Sequence, residues 1–71
     1  MSPVPRLTFR QIAKVVNRNE FDVVRVQGSH HRFVHPDGRW TVVANHGSRV
    51  IPLGTMRAIM RQSGLPDTTW S

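Results

Sequence analysis

The sequence has no cysteine among its 71 residues, so neither a disulfide frame nor a thiolate metal site is available to it. Long apolar runs are missing too. No segment approaches the ~20 consecutive apolar residues that a membrane helix needs. Residues 1–8 hold Pro3 and Pro5 and no apolar stretch, so they do not read as a secretory signal. The expectation is a cytoplasmic protein without membrane contact. Acids are scarce: four, against ten lysines and arginines, for a net charge of +6. None of the four carboxylates is obviously placed for acid–base work. Lysine is nearly absent as well, since nine of the ten bases are arginine. A guanidinium presents a planar fork that matches phosphate oxygens, which favours a phosphate-bearing partner. The plainer alternative is an arginine-rich coding composition whose charge serves only solubility. The bases are spread along the chain and not gathered on one amphipathic helix, which weighs against a membrane surface.

What remains is one small domain over residues 1–71. A chain of this size buries only about 60% of the surface its unfolded form exposes, so a thin core is expected. Residues 1–7 read as an extended arm. Thr8 with Gln11 forms a capping box, and Leu7 with Ile12 is spaced as a hydrophobic staple. Ile12, Val15 and Val16 then make an apolar stripe, with Arg10, Lys14 and Arg18 on other faces, for a helix over about 9–18. Three strands follow, at 21–26, 31–35 and 39–44. They are joined by turn signals at Gly28-Ser29 and Pro36-Asp37-Gly38. Connections this short make an antiparallel meander. Residues 45–51 are a loop, and Pro52 suits a helix start. Met56, Ile59 and Met60 share one face of that second helix. Gly64 and Leu65 predict a Schellman-type ending, with Pro66 opening a 66–71 tail whose Trp70 packs or frays. The order α-β-β-β-α is an α+β two-layer sandwich, a three-stranded antiparallel sheet with both helices on one face.

Three of the four histidines lie between the two turns. Alternation along the second strand puts His31 and His35 on the side of Phe33, and His30, Arg32 and Val34 on the open face. A bulge at Gly28-Ser29 would reverse this. An exposed imidazole beside an arginine suits phosphodiester cleavage. The first takes a proton from a ribose 2′-hydroxyl, and the second offsets charge developing on phosphate. The ordinary role of any single histidine is capping, packing or surface. A metal site from His30, His31, His35 and His46 has poor spacing, because adjacent strand residues face opposite ways. Ser29 as a nucleophile has no orienting acid, and its turn explains it. Trp40 either stacks on a base or covers the thin core, and the core is the stronger reading. Arg57 and Arg61, four apart, either contact phosphate or form a solvated helix face.

These residues resemble the HicA toxins, small mRNA interferases of bacterial toxin–antitoxin pairs, over about Phe9 to Leu65. The resemblance is carried by Gly28-Ser29-His30-His31-Arg32-Phe33, His35-Pro36-Asp37-Gly38-Arg39 and Gly54-Thr55-Met56-Arg57-Ala58-Ile59, followed by Ser63-Gly64-Leu65. It implies a fold like that of double-stranded-RNA-binding domains. It also implies metal-independent endoribonuclease cleavage of mRNA by one histidine, without a cofactor, and neutralisation by a HicB-type antitoxin. The catalytic histidine maps onto His30, with His31 as second choice. Arg25, Arg32, Arg39, Arg57 and Arg61 are the expected RNA contacts. Departures from the family pattern at Val43-Ala44-Asn45-His46 and at Val50 bear on antitoxin specificity and on His46. A non-catalytic RNA-binding module of the same fold is the alternative.

Overall fold

The computed structural model describes residues 4–71, so the first three residues of the expected arm lie outside the described residues. Helix α1 spans Phe9–Arg18, followed by strands β1 (Asp22–Gln27), β2 (His30–Val34) and β3 (Trp40–Ala44) and by helix α2 (Leu53–Ser63). The order is the expected α-β-β-β-α. The sheet is an antiparallel meander, β1-β2-β3.

Local chemistry accounts for most boundaries. Thr8 caps α1 in a full capping box, with its backbone N–H donating to Gln11 Oε1 at 2.9 Å. Such a cap stabilises by about 1 kcal/mol. Phe21 does not begin β1. Its N–H donates to the Val16 carbonyl at 2.9 Å, which closes α1 and turns the ring into the core. Gly28 takes φ 59° in a two-residue turn flanked by the pair Gln27–His30, the conformation that glycine adopts without steric cost. β2 therefore starts at His30 and not at 31. It ends at Val34, because His35 leaves the strand to close the next turn.

Helix α2 starts after Pro52, which is its N-cap and not its first turn. It keeps one bond of the expected Schellman pattern, from Gly64 N–H to the Arg61 carbonyl at 3.3 Å, and replaces the other. The Gly64 N–H donates to the Met60 carbonyl with Gly64 at φ 66°, while Leu65 N–H goes to Ser63 Oγ. The buried Ser63 hydroxyl in turn donates to Met60 O at 3.0 Å, so the side chain intercepts the second bond of the motif. A Cβ at position 64 would lie 3.2 Å from Arg39 Nη1, a second reason for glycine there.

The helices bury Ile12, Val16, Met56 and Ile59 against Phe33 and Val43 on one sheet face. Buried Thr41 ties β3 to α2 by donating to Gln62 Oε1 at 2.8 Å. Two long-range additions complete the core. Ile51 N–H donates to the Leu7 carbonyl at 2.8 Å beside a Thr8–Val50 bridge, so the end of the arm and the end of the 45–51 loop hold each other. The tail forms a 3-10 turn, Asp67–Trp70, that seats Trp70 in the core.

The second turn is built from charge. Asp37 accepts from the Arg39 N–H at Oδ1, 3.0 Å, and from Arg39 Nε at Oδ2, 2.8 Å, with His35 Nδ1 2.9 Å from the same Oδ1. Its carboxyl is lowered below the ordinary aspartate range, first by the Arg39 backbone bond and then by the Arg39 side chain and the His35 charge. A depressed folded value means that this support is present above the unfolded value and lost as pH falls through the folded one. The chain is expected to lose thermal stability below about pH 4. The Asp37→Asn variant should show a shallower decline in that range, and melts followed by circular dichroism check it.

Candidate active site on the open sheet face

Alternation along β2 decides which histidine reaches which surface. Phe33 is fully buried, His31 is half-buried on its side, and His30 and Arg32 are exposed on the other side. The β2–β3 register agrees, pairing His31 with buried Val43 and Phe33 with buried Thr41. The sheet does contain a bulge, but it lies in β1 between Val23 and Arg25, so the facing of β2 is unchanged.

That bulge builds the site. In a regular strand Val23 and Arg25 would share a face. Here Val23 pairs with Phe33, on the core side, while Arg25 pairs with Arg32 on the open side. A pocket of about 140 Å³ results, lined by Arg25, Gln27, His30, Arg32 and Val42. Small-molecule pockets run to ~300–1,000 Å³, so this one suits a single group and not a whole nucleotide. Like charges directly opposite across a strand pair are destabilising. Among the described residues the ion pairs join His35, Glu20, Asp37 and Arg39, and no carboxylate reaches Arg25 or Arg32. Two guanidinium groups without a carboxylate partner therefore stand beside the His30 imidazole on this face.

Trp40 holds one of the two. Its ring lies 4.5 Å from Arg32 Cζ, and it is 44% exposed on the open face. The expectation that Trp40 covers the core is corrected, because Thr41 and Val43 take the core positions of β3 and leave Trp40 and Val42 to the other side. A guanidinium over an indole gains cation–π attraction while its N–H edge stays free.

The remaining predicted residues are elsewhere. The Arg39 guanidinium donates to the Ser63 carbonyl and to Asp37, and it lies 5.4 Å from the Phe21 ring centre. It joins the second turn to the end of α2, apart from the residues that line the His30 pocket. Arg57 and Arg61 are exposed on α2, in the other layer. His31 packs against Phe9 with ring centres 4.6 Å apart and the planes tilted by 52°, and its Nδ1 donates to the Ser29 carbonyl at 3.1 Å, leaving Nε2 as the free ring nitrogen. That same carbonyl accepts from Asn45 N–H at 2.7 Å. His35 rests edge-on against Phe21 at 5.1 Å. His46 is exposed in the loop after β3. No group of three or more His, Asp or Glu side chains among the described residues is placed to hold a metal ion.

Sequence reasoning passed over two features. Gln27 lines the pocket because a two-residue turn sets it opposite His30, a pairing that the Gly-Ser spacing itself contains. On the helical layer, a groove of about 660 Å³ is lined by Phe9, Arg10, Lys14 and Asn17 of α1 together with Asn45 and Gly47. The four-residue spacing of Arg10 and Lys14 was its signal.

Fold and site together define a small α+β domain whose uncovered sheet face carries an arginine-flanked histidine. The HicA toxin family, of bacterial toxin–antitoxin systems, matches residues 9–65, and the chain belongs to that family. Membership makes it the toxin of a toxin–antitoxin system and gives it an antitoxin as partner. No curated protein matches the chain. Among the described residues no helix is long and apolar enough to cross a membrane.

Proposed function

We propose that the chain is an endoribonuclease that cleaves mRNA at the open sheet face, with His30 as general base. The observation that carries this reading is the facing pair Arg25–Arg32 beside the exposed His30. The neutral imidazole takes the proton of a ribose 2′-hydroxyl, whose oxygen attacks the adjacent phosphorus. The bond to the 5′-oxygen breaks, and that oxygen takes up a proton from solvent. The products are a 2′,3′-cyclic phosphate and a 5′-hydroxyl. Arg25 and Arg32 bind the non-bridging oxygens, where charge develops in the transition state. The pocket's small volume fits the phosphate alone, and the flanking nucleotides lie across the face, with Trp40 available beside Arg32. Arg57 and Arg61 then contact phosphates away from the cleavage point. A HicB-type antitoxin covers the same face.

One observation favours a second assignment within the same reaction. The Ser29 carbonyl orients His31 so that Nε2 is free, as a catalytic base requires. His31 is half-buried, however, and stands away from the two arginines.

The test is incubation of purified chain with a defined mRNA in the presence of chelator. Cleavage yielding 2′,3′-cyclic phosphate ends, blocked by 2′-deoxy substitution at the cut site, is expected. Ends bearing 5′-phosphate contradict the 2′-hydroxyl route. RNA left intact at long incubation points to the non-catalytic binding module.

A further inference from the structure

Strand β1 is the least covered element of the fold. All six of its residues are exposed, whereas β2 and β3 contain buried positions. Three of the six are valines, with Val23 43%, Val24 61% and Val26 54% exposed. Val23 and Val26 pair with Phe33 and His31 and so belong to the helix side of the sheet, yet neither helix covers them. β1 is also an edge. Among the described residues its one strand partner is β2, which leaves its outward N–H and C=O groups without a strand to pair with. Proteins usually blunt such an edge with charge, proline or a bulge. β1 has its bulge between Val23 and Arg25 and charges at Asp22 and Arg25, yet it still exposes three valines.

The geometry points to β1 as the docking edge for the antitoxin, which adds an extended, acidic segment to the sheet as a fourth strand. Strand addition satisfies the free backbone groups and lets alternate side chains cover the valines. Charge selects the occupant. Two copies of this chain would bring +6 against +6, whereas an acidic segment is complementary. Position supplies a consequence under the nuclease reading. Arg25 and Gln27 belong to β1 and wall the His30 pocket, so a strand at this edge brings its carboxylates up to the two unneutralised arginines. The docking claim itself rests on family membership for the existence of an antitoxin and is independent of the nuclease reading.

The experiment uses the full chain with its cognate antitoxin, and reads binding. Amide hydrogen exchange at Asp22–Gln27 is expected to slow at least about tenfold in the complex. A Val24→Glu/Val26→Glu double variant should weaken the complex at least about tenfold, with an unchanged melting curve because both side chains are exposed. Lys14→Glu, in the α1 groove, should leave affinity within about twofold. Unchanged exchange at 22–27 with protection at 9–17 overturns the proposal, as does undiminished affinity of the double variant or failure of any complex to form. Concentration-dependent self-association that protects the same amides in the free chain assigns the edge to a second copy, and also overturns it.

Discussion

His30→Ala is expected to lower the rate of RNA cleavage by about 10²–10⁴, the range a positioned general base contributes. The fold should be untouched. His30 is exposed at the first position of β2, and the turn before it is held by Gly28 and by the Ser29 carbonyl, whose donors are Asn45 N–H and His31 Nδ1. An unchanged melting temperature with cleavage lost separates loss of chemistry from loss of structure. RNA binding should persist in the variant, because Arg25 and Arg32 still face each other and still lack a carboxylate partner.

Three residues further along the same strand the consequence inverts. Phe33→Ala should unfold the chain. The ring is fully buried at the centre of the core, 6.3 Å from Phe9 and on the sheet face that both helices cover. Removing a buried phenyl group costs about 3–5 kcal/mol. A single core in a chain below ~70–80 residues rarely supplies more than that in total. Urea denaturation should therefore find the variant largely unfolded already without denaturant, with activity lost as a result. A cooperative transition near the parent midpoint would show that the core tolerates the cavity and that the energetic account of β2 is wrong.

The contrast between His30 and Phe33 was legible in the sequence because it depends only on strand alternation and a tight turn, both local. The capping box at Thr8 and Gln11 was legible for the same reason. Features that depend on distant partners were not. Trp70 packs because a 3-10 turn returns the tail to the core, and nothing within residues 66–71 says so. Arg39 looked like a free cation, yet its partners include the Ser63 carbonyl, 24 residues away in sequence. Trp40 sits among apolar neighbours on β3, and sequence alone does not say which of them face inward. Arg25 is the sharpest case. An unbroken alternation would have put it on the side of Val23, and only the bulge moves it opposite Arg32. Of the residues that line the pocket, Arg25, His30 and Arg32 were named from the sequence and its family resemblance, while Gln27 and Val42 were not. The electrostatic conflict that singles out this face needed the register.

Under the proposed mechanism the open face, and not the helix-packed face, holds the reactive base. Single-turnover cleavage of one RNA by His30→Ala and by His31→Ala, under identical conditions and with both folds verified, compares the faces directly. The His31 variant is expected to be at least about 10²-fold faster than the His30 variant. A His30 variant that cuts at the parent rate while the His31 variant is inactive would contradict it.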